Sequence, residues 1–243
     1  MGKYDSPTSI LITGASSGIG SVLAQSYARD GVTLALGGRN RERLEAVADA
    51  VRAAGAQCTV AQVDVSDAEA MRDWIVRADR AAPLDLVIAN AGISAGTRKA
   101  TRGTQADDSR VFATNILGVA NTVVPIQPRM RERGHGQIAL MSSLAGYYGF
   151  ADAPAYCASK SAVRLYGTAL RKAYRKDGVG VSVICPGFVR SPMTDVNDFR
   201  MPMLMDANPT ARIICRGLAR NRRVIAFPWP MYIGARLLSL FGD

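Results

Sequence analysis

A doubly wound α/β fold, one parallel sheet with helices on both faces, is what this chain of 243 residues predicts. Three observations carry it. Short apolar runs alternate with longer helical periods along the chain. The runs are near-continuous in Val, Ile, Leu and Ala, as strands buried on both faces are. A glycine-rich turn joins the first run to the first helical period. Repeated strand–helix–strand order implies right-handed crossovers and an open, doubly wound sheet. No low-complexity linker interrupts the order, so residues 1–243 read as a single domain.

The expected strands are Ser9–Thr13, Val32–Gly37, Gln57–Val63, Leu84–Ala89, Gln137–Ser142 and Gly180–Cys185, with Val224–Phe227 as a seventh. Helical periodicity covers Ile19–Arg29, Arg41–Ala54, Ala68–Ala81, Val111–Arg133, Ala155–Lys176 and Ala207–Arg220. Asn40, Asp67 and Asp108 stand where side-chain oxygens cap first-turn amides. Gly31, Gly55, Gly134 and Gly178 stand where helices stop.

Composition narrows the function classes. With 48% hydrophobic and 21% charged residues, the chain is globular rather than disordered. Its single histidine, His135, excludes histidine-rich metal sites and leaves a Ser-His-Asp hydrolase poorly supported. The four cysteines, Cys58, Cys157, Cys185 and Cys215, form no Cys-x-x-Cys pair. A zinc module and a disulfide scaffold are therefore not expected, and a reducing cytoplasm is. The polar opening MGKYDSPTS does not read as a secretory leader. The net charge is +10, and residues 200–243 hold seven arginines against two aspartates, half of the excess. Charge alone does not make a nucleic-acid partner: there is no recognised binding motif and no aromatic-studded basic stripe.

The turn Thr13-Gly14-Ala15-Ser16-Ser17-Gly18-Ile19-Gly20 places glycines between a first strand and a first helix. There the backbone can approach a pyrophosphate closely, and the helix N-terminus attracts its charge. The spacing Gly-x-x-x-Gly-x-Gly differs from the more familiar Gly-x-Gly-x-x-Gly. The second strand ends in Gly37-Gly38-Arg39-Asn40-Arg41, without an acid. A carboxylate there would accept from a ribose 2′-hydroxyl and repel a 2′-phosphate, whereas an arginine forks onto the phosphate. Arg39 thus points to NADP(H) without barring NAD(H).

Tyr156 and Lys160 stand four apart on one face of a helix. An ammonium beside a phenol favours phenolate, which suits proton exchange near neutral pH. Ser143 follows the fifth strand, where strand ends face the ligand crevice. Ser142 is the neighbouring hydroxyl, but strand alternation turns it to the other side. Cys157 reads as packing rather than as a reactive thiolate.

Together these residues resemble the short-chain dehydrogenase/reductase family, a Rossmann-like fold. The matching motifs run in order: Thr13-Gly14-x-x-x-Gly18-x-Gly20, Asp64-Val65, Asn90-Ala91-Gly92, Asn115, Ser143, Tyr156-x-x-x-Lys160 and Pro186-Gly187. The resemblance implies an NADP(H)-dependent oxidoreductase interconverting a carbonyl and an alcohol. In it Tyr156 is the general acid or base, Lys160 lowers its pKa and contacts the nicotinamide ribose, and Ser143 polarises the carbonyl. Asn115 holds a water in a proton relay; a core amide tying two strands together is the other reading of that residue. The cofactor set it implies is Gly14, Ser16, Ser17, Gly18, Ile19, Gly20, Arg39, Asp64, Val65, Asn90, Gly92, Tyr156, Lys160, Pro186, Gly187, Val189 and Ser191. Ser191 stands where family members usually carry threonine, a change that keeps the hydroxyl. A homodimer or homotetramer is implied as well. The rival reading is a catalytically idle NADP(H) sensor acting through a protein partner, for which four intact catalytic positions would be unnecessary.

Residues 187–208 are expected to form a substrate lid, rich in methionine and therefore suited to an adaptable apolar pocket. A helix packing its methionines into the core is the alternative. Residues 228–243 form an apolar tail broken by Pro228, Pro230, Gly234 and Arg236, too interrupted for a spanning helix. Docking on the protein or an oligomer contact is favoured for it over peripheral contact with an anionic membrane.

Overall fold

The computed structural model describes Tyr4, residues 6–94 and residues 104–241. Seven strands pair in parallel: β1 (Ser9–Thr13), β2 (Thr33–Gly38), β3 (Gln57–Gln62), β4 (Leu86–Ala89), β5 (Gln137–Met141), β6 (Gly180–Pro186) and β7 (Val224–Phe227). Their order is β3-β2-β1-β4-β5-β6-β7. The chain builds outward from β1 to β3, then returns to the other side at β4, so a crevice opens between the C-terminal ends of β1 and β4.

Alternation along each strand splits the core into two layers. Ile10, Ile12, Leu34 and Leu36 face one side, where Leu23 of α1 (Gly18–Tyr27), Leu44 of α2 (Arg41–Ala53) and Ile214 of α8 (Ala207–Ala219) cover them. Leu11, Val87, Ile138 and Leu140 face the other side. There they meet Met71 of α3 (Ala68–Ala81), Val123 of α5 (Gly118–Val123) and Val163 of α7 (Pro154–Ala173). A third, smaller cluster of Leu144, Val183 and Cys185 is covered by α9 (Trp229–Phe241).

The predicted helix Val111–Arg133 is in fact a series of pieces. It opens earlier, with α4 (Gln105–Phe112), passes through a π-helical segment (Ala113–Leu117) and α5, breaks, and resumes as α6 (Gln127–Glu132). Thr104 rather than Asp108 is the N-cap. It accepts from the Asp107 amide at 3.2 Å while the Asp107 carboxylate accepts from the Thr104 amide and hydroxyl, a reciprocal capping box. Pro125 and Pro128 lie at the break; a proline offers no amide and its ring crowds the carbonyl four residues back. The expected lid, residues 187–208, holds no regular helix before α8 begins at Ala207. Its ends are instead clamped, Met205 donating to the Phe188 carbonyl at 3.0 Å and Arg190 to the Met205 carbonyl at 2.9 Å.

Candidate active site

All of the candidate residues collect at the C-terminal ends of the strands. Gly14 and Gly18 adopt φ of +65° and +57°, a left-handed backbone that favours glycine. A Cβ on Gly14 would lie 2.8 Å from the Ala91 Cα, and one on Gly20 only 2.4 Å from the Gly14 carbonyl oxygen. The β1 and β4 turns are laced together around this narrow space. Asn90 Nδ2 donates to the Thr13 and Gly14 carbonyls at 2.9 and 3.2 Å, and Thr13 Oγ1 accepts from the Asn90 and Ala91 amides. At the start of α1, Ser17 is extended and its hydroxyl caps no amide; the first turn carries no acid. Ser16 and Ile19 complete this turn, Ile19 packed on the edge of the first core layer. Its first-turn amides are thus open to an anion such as a pyrophosphate.

Arg39 follows β2 and lies 3.8 Å from Asp64, both of them substantially exposed. Partial burial would raise the Asp64 carboxyl, but the Ser66 amide and hydroxyl, donating at 2.9 and 2.7 Å, and the nearby Arg39 hold it below its ordinary range. Val65 is buried, and its carbonyl accepts from Asn121 at 2.9 Å. The end of β2 therefore presents an arginine, with the nearest carboxylate on the next strand's loop and turned to Ser66.

Tyr156 and Lys160 lie one turn apart on α7, with the Lys160 ammonium over the tyrosine ring, 5.6 Å from its centre. Lys160 is only 3% exposed and donates to the Met141 carbonyl at 3.0 Å. Burial disfavours its charged form and brings its pKa down to about 8. Burial also pushes the Tyr156 phenol above its ordinary value, opposed by a hydrogen bond from Ser143; the Cys157 thiol adds a smaller upward push. Lys160 is not among the groups that shift the phenol here; its ammonium meets the ring face.

Ser143 caps the short 3₁₀ turn Leu144–Gly146, its Oγ accepting from the Ala145 amide at 3.1 Å and donating to the Pro186 carbonyl at 3.3 Å. Asn115 is fully buried in the π-helical segment. Its Oδ1 accepts from the Ile93 amide at 2.8 Å, and its Nδ2 donates to the Ile93 carbonyl and to Ser159 Oγ at 2.9 and 3.0 Å. At Gly92 a Cβ would lie 3.1 Å from Lys160 Nζ and 3.3 Å from Asn115 Oδ1. Across the crevice, Gly187 donates to the Phe227 carbonyl at 2.7 Å, Val189 is buried, and the Ser191 Cβ lies 3.2 Å from where a Gly18 Cβ would stand. The loop after β6 thus rests on the glycine turn.

The model of the short chain dehydrogenase family matches residues 8–200, which include every candidate site residue from Gly14 to Ser191. The chain belongs to the short-chain dehydrogenase/reductase family. It is an NAD(P)-dependent oxidoreductase acting on CH–OH groups. It is 39% identical to an uncharacterized oxidoreductase of Myxococcus xanthus, over 95% of this chain and 91% of that one. Among solved structures, a short-chain dehydrogenase of Sphingobium yanoikuyae in complex with NADPH is 26% identical. It superposes with a TM-score of 0.83, covering 96% of this chain and 95% of its own. A short-chain dehydrogenase/reductase of Burkholderia phymatum in complex with NAD is 27% identical, with a TM-score of 0.87 over 98% and 94%.

The dehydrogenase also positions its site through residues that the motifs left unassigned. Ser159 donates to the Tyr156 carbonyl at 2.7 Å and accepts from Asn115, coupling the two elements. Thr194 accepts from the Ser191 amide at 2.9 Å and donates to the Val189 carbonyl at 2.9 Å, folding the loop back on itself. Thr13 had a signal in the sequence, its place directly before Gly14; Ser159 becomes visible only when α7 meets the Asn115 segment, and Thr194 only once the loop folds back on itself. Among the described residues no cluster of His, Cys, Asp and Glu could hold a metal.

Proposed function

We propose that this dehydrogenase uses NADP(H) to interconvert a ketone or aldehyde and its alcohol on an apolar substrate, with Tyr156 as the proton donor and acceptor. The convergence of Ser143, Tyr156, Lys160 and Asn115 at one end of the sheet carries the reading. The glycine turn fits a dinucleotide: its backbone leaves no room for side chains, and the first-turn amides of α1 are uncapped. Gly14, Ser16, Ser17, Gly18, Ile19 and Gly20 would hold the pyrophosphate, and Arg39 the 2′-phosphate. Asp64, Val65, Asn90 and Gly92 would line the adenosine half, with Pro186, Gly187, Val189 and Ser191 along the nicotinamide half.

Such a cofactor, when bound, supplies or accepts the hydride. The chain's own contribution is protonic and electrostatic. Ser143 and Tyr156 present two hydroxyls to one substrate oxygen, a pair of donors for the charge that develops on it. The Tyr156 hydroxyl gives up its proton to that oxygen in reduction and regains one in oxidation. Lys160, already near pKa 8, exchanges its proton in the neutral range and restores the tyrosine. Asn115 fixes α4–α5 against α7 beside it and, through a water, would connect Lys160 to solvent.

An apolar substrate is supported by Phe188 and Phe199, whose rings meet edge to face 5.9 Å apart, and by the partly exposed Met193 and Met203 of the 187–208 lid. Self-association is supported by a separate apolar face, with Leu117, Val124 and Leu165 exposed on adjoining helical segments.

The test is cofactor consumption with NADPH and NADH against ketones graded from small and polar to long-chain. The expected result is faster turnover with NADPH, better turnover of the more apolar ketones, and loss of turnover in Tyr156→Phe with NADPH still bound. Full activity of that variant would overturn the mechanism.

A further inference from the structure

The C-terminal helix has two apolar faces and needs only one of them for the fold. Met231, Tyr232 and Ala235 pack inward on the Leu144–Val183–Cys185 cluster, and Tyr232 stacks edge to face on Tyr147 at 5.5 Å. Trp229, Ile233, Leu237 and Leu240 recur at i, i+4, i+8 and i+11 and therefore form one stripe on the opposite side. They are 69%, 46%, 51% and 71% exposed. A stripe of a tryptophan and three large aliphatic side chains facing water is not explained by the packing of this chain.

The charge beside the stripe indicates what covers it. Residues 207–241 contain six arginines and no acidic residue. Arg216, Arg220 and Arg222 line a hollow of about 320 Å³ along the outer edge of β7, and Tyr232 of α9 closes it. Arg236 lies over the Tyr232 ring, 5.9 Å from its centre, between the hollow and the stripe. None of Arg212, Arg216, Arg220, Arg222, Arg223 and Arg236 forms an ion pair among the described residues, whereas eleven arginine–carboxylate pairs form elsewhere.

We propose that this face docks on an anionic lipid surface. The α9 stripe lies in the headgroup–acyl boundary, Trp229 sits at the interface, and the arginines of α8, the β7 edge and Arg236 contact lipid phosphates. The docking is independent of the chemistry assigned to Tyr156. The inner face of the helix docks on the protein, as expected of the tail, and the proposal concerns its outer face.

The full chain is tested by co-sedimentation with vesicles of phosphatidylcholine alone and with roughly 30 mol % phosphatidylglycerol. Binding is expected only to the anionic vesicles, weakened at least tenfold by high salt, with a blue shift of emission that Trp229→Phe removes. Leu237→Asp/Leu240→Asp should abolish binding; these positions are exposed, so the fold should persist, as circular dichroism would verify. Arg220→Glu/Arg222→Glu, which leaves the stripe intact, should weaken it at least tenfold. No binding to anionic vesicles, or equal binding to neutral ones, would overturn the proposal. So would a solution mass that falls in Leu237→Asp/Leu240→Asp while wild type ignores vesicles, which would assign the stripe to a second copy.

Discussion

The Ser142 hydroxyl donates to the backbone carbonyl of Lys160 at 2.7 Å, tying the end of β5 to the middle of α7. Ser143, the next residue, turns instead to Pro186 and Tyr156. Two adjacent serines therefore differ in chemistry. Ser142→Ala removes a buried hydrogen bond and should cost about 1–2 kcal/mol, lowering Tm by about 2–8 °C with turnover nearly unchanged. Ser143→Ala loses the cap to Ala145 and the bond to Pro186, so Tm should fall by a comparable amount, but kcat should also fall about 100-fold or more, as loss of one charge-stabilising donor does. Thermal melts and steady-state kinetics on both variants check the division; a larger kcat loss in Ser142→Ala would refute it.

That division was legible in part. Strand alternation separates the two serines by direction, but the acceptor on Lys160 lies 18 residues away, and only the packed α7 brings it there. Six buried parallel strands could be read because their apolar runs have few competing explanations. The strand QCTVAQ, expected to be buried like the others, is half exposed, because β3 lies at the edge of the sheet. The π-helical segment left no signal. It depends on Asn115 being pulled toward Ile93 and Ser159, both tertiary contacts. Thr104 was passed over for Asp108 because either residue type caps well, and the reciprocal bonds with Asp107 decide between them.

Lys160 should cost stability while serving catalysis. It is buried with one protein acceptor, the Met141 carbonyl, and its pKa falls from 10.5 to about 8. Between those values the unfolded chain binds the extra proton, so stability rises with pH through that window, and below pH 8 the full penalty is present. Lys160→Met removes the buried charge. At pH 7 it should raise stability on the order of 2 kcal/mol and abolish turnover, and the gain should shrink as pH approaches 10. Denaturant melts at several pH values check the sign; a variant less stable than wild type at pH 7 would contradict it.

Arg39 should govern the choice between cofactors. Its 3.8 Å approach to exposed Asp64 is a weak attachment, leaving the guanidinium available to a phosphate. Arg39→Leu should raise KM for NADPH about 10- to 100-fold, the value of a charged hydrogen bond or two, and change KM for NADH little. The ratio of kcat/KM for the two cofactors is the readout. An equal loss with both would mean that Arg39 positions the loop and does not read the phosphate.

Asp79 should hold the far end of the molecule together. Its carboxylate is fully buried at the end of α3 and accepts from Arg129 at 2.5 Å, Arg133 at 2.8 Å and the Leu84 amide at 2.9 Å. Burial would raise its pKa, but these three donors together hold it below the ordinary carboxylate value. Its folded value being depressed, the stabilisation is complete above about pH 4, the unfolded value, and disappears as pH falls through the folded one. Asp79→Asn leaves two arginines without their anion and should cost about 3 kcal/mol at pH 7, or about 6–12 °C in Tm. The gap between wild type and variant should narrow below pH 4, where the wild-type carboxylate also becomes neutral. Melting curves at pH 7, 5 and 3 distinguish this from a simple packing defect, whose penalty would stay constant with pH.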